Sequence, residues 1–224
     1  YKRCRDGMTV NGYTITGPNY FFLNYFQLDD NRVSKAGAGR DTIFPRFKTY
    51  QYEFFHYYEL CRIYGYNCSM LKNRGCGFSF IVASILDSTY SCYPNSNSVI
   101  SAYLQSYVDD TMDKVTSGLD FLNEHTDGGF FKARQVENNT MTKKASYYIM
   151  IDGQKVETGF MSKITGKVAD NSRKVRGDRT NVLVQEEAGS NPILEESVIK
   201  GEELVRPGGN RIGVQIIGGT GGDV

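Results

Sequence analysis

The chain has 224 residues, enough for one ordinary domain or one domain with an appendage. Forty per cent of the residues are hydrophobic and 23% charged, so a core can be buried. Twenty-six basic against 25 acidic residues exclude a uniformly basic nucleic-acid coat, though not a local basic track.

No apolar run approaches the ~18 residues that a membrane span needs. Tyr1-Lys2-Arg3-Cys4-Arg5 leads into polar sequence, so no signal peptide is read at the start, and a beginning at tyrosine reads as a trimmed one. Five cysteines without a CxxC pair, beside two histidines, argue against structural zinc. Reduced, mostly buried thiols in a cytosolic compartment are the expectation. Sixteen Tyr and 13 Phe fall in stripes that read as core.

In chain order, residues 8–28 read as short strands with turns at Asn11-Gly12 and Gly17-Pro18. Residues 31–42 read as an exposed loop. Pro45 can open a helix from about Lys48 to Tyr64, since Phe54, Tyr57, Tyr58, Cys61 and Tyr64 recur at helical spacing, and Gly65 can cap it. Residues 66–71 form a short strand. Lys72-Asn73-Arg74-Gly75-Cys76-Gly77-Phe78-Ser79 is a tight loop, and an apolar helix follows to about Tyr90. Strand, glycine loop and helix make the architecture of a phosphate cradle.

Ser88–Asn97 reads as a polar turn region, 99–104 as a strand and 108–124 as a helix. Residues 126–146 read as polar and mobile. Tyr147–Ile151 and Gln154–Thr158 make a hairpin about Asp152-Gly153, and Phe160–Thr165 is a further short strand. Asn181–Gln185 is a buried-type strand ending in Glu186-Glu187, and Arg211–Ile217 is the last strand. Strands alternating with helices argue for an α/β fold with a largely parallel sheet.

The standard phosphate-loop pattern is GxxxxGK[ST]. Gly77 and Ser79 fit it, but Phe78 stands at the lysine position and Lys72 at the first glycine. Gly75 and Gly77 permit the backbone bend, Ser79 lies at the helix start, and Lys72 and Arg74 supply cations. The other reading is an ordinary glycine turn with surface charges. At Glu186-Glu187 one carboxylate can serve a metal and its neighbour a water. The other reading there is a solvated acidic helix start.

At this point the sequence resembles the N-terminal ATPase domain of the large terminase subunit of tailed bacteriophages. Ile15 to Tyr25 resembles the family's ItGxxYfFLNy segment. Lys72 to Ser79 resembles its KxRxxGxS loop, whose lysine sits at the start. Arg176-Gly177-Asp178-Arg179 through Glu186-Glu187-Ala188-Gly189-Ser190 resembles its RGxR…EEAGS block, and Ile216-Ile217-Gly218-Gly219-Thr220-Gly221-Gly222 its GTGG coupling motif. Glu186 stands where the family more commonly has aspartate. The resemblance runs to just after the coupling motif and does not reach the family's nuclease part, so no nuclease activity is expected of these residues.

The resemblance implies an ASCE-type P-loop core at residues 48–224, with residues 1–47 as an N-terminal extension. It implies ATP hydrolysis with Mg²⁺, driving double-stranded DNA into a procapsid. Lys72 would contact the phosphates, with Asn73, Arg74, Gly75, Cys76, Gly77, Phe78 and Ser79 around them. Arg74 would sense the γ-phosphate and Gln51, on an exposed helical position, would meet adenine. Ser79 and Glu186 would hold the metal, and Glu187 would activate water. Arg176 would act on a neighbouring subunit's nucleotide, and Gly219, Thr220 and Gly221 would couple nucleotide state to movement. Implied partners are double-stranded DNA, the portal, the small terminase subunit and further copies in a ring such as a pentamer, while the isolated chain could be a monomer. The implied place is the host cytoplasm, docked on the procapsid. Basic residues between Lys163 and Arg179 could meet DNA phosphates. The competing readings are a helicase-like or other DNA-dependent P-loop ATPase and a non-enzymatic nucleic-acid-binding module.

Overall fold

The structure is a computed structural model and describes residues 1–30, 41–169 and 179–221. Its centre is a six-stranded sheet, built from β5 (Cys68–Leu71), β6 (Asn97–Ala102), β7 (Thr142–Ile151), β8 (Gln154–Val168), β9 (Val182–Gln185) and β10 (Val214–Gly219). The order is β5-β10-β9-β6-β8-β7. The first five run parallel and β7 closes one edge antiparallel to β8. The expected largely parallel α/β architecture is therefore present.

Side-chain alternation sends successive residues of the central strands into different cores. Val182, Val184 and Ile100 join the large cluster, whereas Leu183 and Val99 join a smaller one with Leu204 and Val205. Helix α4 (Phe78–Cys92) packs across β6, β8 and β9, and α5 (Gln105–His125) across β6 and β8. Helix α6 (Leu194–Val205) covers β9 and β10, and α3 (Thr49–Tyr64) lies against β5 and β10. Among the described residues no helix is long and apolar enough to cross a membrane.

Before the sheet come α1 (Lys2–Asp6), the hairpin β1 (Met8–Val10) and β2 (Tyr13–Ile15), α2 (Gly17–Tyr25), and the pair β3 (Leu28–Asp30) and β4 (Asp41–Ile43). The Asn11-Gly12 turn forms as expected, both residues having positive φ. Residues 17–25 are a helix, not strand. Thr16 Oγ accepts from the Asn19 N–H at 3.4 Å and Pro18 sits in the first turn, so local capping outweighs the β-propensity of the aromatic run. Of the expected 31–42 loop, residues 31–40 lie outside the described residues, and 41–43 are strand.

The helix after Pro45 runs from Thr49 to Tyr64 as expected, and Gly65 caps it in the left-handed region. Three other expectations shift. Helix α4 runs on through the polar stretch to Cys92, because Tyr90 and Cys92 pack in the core, and the buried Ser88 and Thr89 satisfy their hydroxyls on the Ile85 carbonyl. Phe160–Thr165 is no separate strand but part of the 15-residue β8. The segment 126–146, expected to be polar and mobile, is anchored by buried Phe130, whose ring lies 4.8 Å from that of Tyr25, and it enters β7 at Thr142.

Helix α2 is tied to the main core by aromatic packing. Phe22 is fully buried, with its ring 5.4 Å from Phe55 of α3 and 6.0 Å from Phe26. Phe22→Ala is expected to lower stability by about 3–5 kcal/mol, read as the urea midpoint at unchanged slope. A loss under about 1 kcal/mol would show that α2 contributes little to the fold.

Candidate functional site

Parallel pairing places the ends of β5, β9 and β10 at one rim of the sheet, where an α/β fold holds its ligands. The loop after β5 begins at Lys72, whose N–H donates to the Gly219 carbonyl at 3.0 Å. Gly75 and Gly77 take φ of 79° and 83°, a region that side chains with Cβ avoid, and α4 starts immediately after. The loop thus delivers a helix N-terminus, with Ser79 in its first turn.

Phe78 does not point into the cradle. It is buried, edge-to-face with Phe54 at 5.9 Å, and packs under β10. Gly218 makes that possible, since a Cβ there would lie 2.1 Å from Phe78 Cζ. The Lys72 ammonium stands 5.6 Å from the Phe78 ring centroid. The ring at the usual lysine position therefore supports the displaced lysine from beneath.

The two adjacent carboxylates part company. Ser79 Oγ donates to Glu186 Oε1 at 2.5 Å, and Glu186 Oε2 is buried without a hydrogen-bond partner. Glu187 Oε1 accepts from Lys72 Nζ at 2.5 Å, while its Oε2 accepts from the Thr220 N–H and hydroxyl at 3.3 and 3.1 Å. Glu187 itself has φ 48° and ψ 45°, an uncommon left-handed conformation for a residue with a side chain. This backbone reversal directly after β9 gives neighbouring carboxyls different partners.

Their electrostatics differ accordingly. Burial pushes Glu186 up to about 7, against the opposing pull of the Ser79 hydrogen bond and the Lys72 charge. Burial raises Glu187 too, but the Lys72 bond and the Thr220 donors together outweigh it and hold its carboxyl below the usual range.

A cavity of ≈ 750 Å³ opens over this rim, lined by Lys72, Arg74, Gly75, Glu187, Thr220 and Gly221. A smaller one of ≈ 170 Å³ is lined by Asn73, Cys76, Gly77, Ser79 and Lys114 among others. Gln51 is buried rather than exposed, contrary to the sequence reading, because α3 turns it against the loop. Its Nε2 donates to the Cys76 carbonyl at 3.3 Å, and its Oε1 has no partner. Arg176 lies outside the described residues, as do the other basic residues at 170–178. Arg179 is exposed, and Lys163 pairs with Glu137.

Sequence reasoning missed Tyr50, whose hydroxyl donates to the Cys76 carbonyl at 2.8 Å, and Tyr107 and Lys114, which line the cavities from α5. Tyr50 could have been found beside Gln51. The α5 residues carry no spacing signal, because only tertiary packing brings them to the rim.

The donor set fits a phosphate with a divalent cation. A helix N-terminus and an ammonium suit the anion, and a hydroxyl beside a buried carboxylate with a spare oxygen suits a hard cation. No family model matches the chain, and no curated protein matches it. Among solved structures it is similar to the large terminase ATPase domain of Thermus phage P74-26, at 19% identity and TM-score 0.53, over 70% of this chain and 60% of that one. It is also similar to the large terminase of bacteriophage HK97, at 11% identity and TM-score 0.53, over 90% of this chain and 36% of that one. The chain thus spans 60% and 36% of those two chains, less than two thirds of either, and it shares the fold of phage large terminase ATPase domains.

The raised Glu186 pKa has a definite sign. The folded state binds a proton that the unfolded state has released, so stability falls as pH rises from about 4.5 to about 7. Without ligands, Glu186→Gln is expected to remove that fall and to stabilise at pH 8 by up to about 3 kcal/mol, with little effect at pH 4. Urea melts of both proteins across this range check it, and parallel pH profiles would refute it.

Proposed function

We propose that this chain is the ATP-hydrolysing unit of a motor that moves double-stranded DNA into a viral procapsid. The observation that carries the reading is the pairing of Lys72 with Glu187 and of Ser79 with Glu186 at the rim of a terminase-type fold.

ATP would bind with its phosphates over the loop, where Lys72 and the amides at the start of α4 balance their charge. Ser79 and Glu186 would hold Mg²⁺, which when bound neutralises charge on the phosphate oxygens. As a phosphate takes over the Lys72 ammonium, Glu187 loses its ion-pair partner but keeps its Thr220 contacts. Its carboxylate is then free on one oxygen to orient water and accept its proton. Because Thr220 bonds the same carboxylate, the segment after β10 would report the state of that group. Gln51, with a free buried acceptor, would face the base, and Arg176 would act across a subunit boundary. Packaging, the DNA partner and assembly on a portal belong to this proposal by likeness of fold and of the quoted motifs.

Calorimetric titration of ATP-Mg²⁺ tests it. Wild type is expected to bind, Lys72→Ala to bind at least about 100-fold more weakly, and Glu187→Gln to bind normally while turnover falls about 10²–10⁴-fold. Double-stranded DNA should raise wild-type turnover, and salt should reduce that effect. If wild type binds no nucleotide in magnesium, the loop is an ordinary turn and a non-enzymatic module takes precedence. If it hydrolyses ATP at a rate indifferent to DNA, the motor reading fails but the ATPase reading stands.

A further inference from the structure

The small cavity beside the glycine loop is walled by two lysines, and the reaction described above uses only one of them. Its lining follows the loop from Lys72 to Ser79 and Phe80, and Lys114 of α5 completes it. No carboxylate belongs to that lining, and ≈ 170 Å³ leaves room for a phosphate group.

Helix packing puts Lys114 there. Lys114 and Gly118 lie one turn apart on the same side of α5. A Cβ at Gly118 would stand 2.1 Å from Asp87 Oδ2, so the bare backbone at that point lets α5 press against α4. One turn earlier, Lys114 reaches the first turn of α4, with its ammonium 5.3 Å from the Phe80 ring centroid. Phe78 and Phe80, on either side of Ser79 in sequence, thus each have a lysine ammonium near the ring.

The two lysines differ in their partners. Lys72 is paired with Glu187. The half-buried Lys114 donates to the Asp110 carbonyl at 2.8 Å, and among the described residues it has no carboxylate partner. Asp110 and Asp113 line the neighbouring cavity instead, which shares Lys114 and Phe80 with this one. An ammonium has three donors, so two of those on Lys114 remain for other oxygens. Its charge also reaches the metal side of the site. Burial dominates the raised Glu186 pKa, and the Ser79 bond, Lys72 and Lys114 all oppose it.

We propose that Lys114 is a second phosphate-contacting lysine, meeting from α5 the phosphate that Lys72 meets from the loop. This rests on the nucleotide-binding reading of the site and adds to it a residue from outside the loop. Charge balance supplies the reason. A phosphate that takes Lys72 leaves the Glu187 carboxylate without its ammonium. Lys114 offers the same phosphate a cation whose engagement breaks no ion pair. Because α5 also carries Tyr107 to the larger cavity, phosphate contact at Lys114 would tie this helix to occupancy of the loop.

Calorimetric titrations of inorganic pyrophosphate and of ATP-Mg²⁺ test this, the former without any contribution from base or sugar. Lys114→Met is expected to weaken both by at least about tenfold, as loss of a hydrogen bond to a charged group does. Lys114→Arg keeps the charge and should stay within about threefold of wild type, a loss small beside that of a missing ion contact. Lys155→Met, on the β7–β8 hairpin, should bind as wild type does. Acetic anhydride labelling read by mass spectrometry needs no substitution. Saturating pyrophosphate should slow acetylation of Lys114 several-fold in wild type and leave Lys155 unaffected. If wild type binds both ligands and Lys114→Met binds them equally well, or if Lys114 stays unprotected, the proposal is overturned while the ATPase reading stands. Equal weakening by Met and Arg overturns it too, and assigns Lys114 a packing role over Phe80. If wild type binds neither ligand, the nucleotide-binding reading falls and this inference falls with it.

Discussion

Strand β10 lies between β5 and β9, parallel to both, and the site depends on that insertion. It brings three segments to one rim, Lys72 lying 115 residues before Glu187 and Glu187 lying 33 before Thr220. Lys72 is fixed to β10 through the Gly219 carbonyl, and Thr220 leaves β10 to reach Glu187. The insertion demands close packing against α4. Phe78 sits where only a glycine at 218 leaves room, and so the ring is kept below the loop rather than in it. The displaced lysine, the aromatic residue at its usual place and the glycine on β10 are thus parts of one steric solution.

Within that frame, adjacent glutamates acquire different chemistry from their surroundings. Glu186 is sunk at the strand end, where burial favours its neutral form, and a single hydroxyl only partly offsets this. A divalent cation would relieve the same penalty, because its charge compensates the carboxylate that water no longer reaches. Glu187 is more open and is held ionised by an ammonium and two further donors. The left-handed backbone at Glu187 separates them, a strain of about 1–3 kcal/mol that the surrounding contacts must hold.

Much of the fold was legible from periodicity and punctuation. Gly65 ended α3, and Asp152-Gly153 turned the β7–β8 hairpin, because left-handed residues and two-residue turns have narrow requirements. The errors share a cause. At Tyr20–Tyr25, at Ser88–Cys92 and at Phe160–Thr165, composition indicated one state and local hydrogen bonding or strand continuity imposed another. Gln51 was misread as exposed because nothing in its neighbours marks which side of α3 meets the loop.

The sequence by itself determined the local chemistry: a glycine-bent loop between strand and helix, a cation at its start, a hydroxyl at its end, and two carboxylates after a buried strand. These follow from residue type and short spacing, which fix backbone freedom and charge within a few residues. Only the tertiary structure decided which carboxylate meets the hydroxyl and which the lysine, and that Tyr50 and Lys114 border the site. Strand order and packing set those relations, and neither is encoded in the spacing of any single segment.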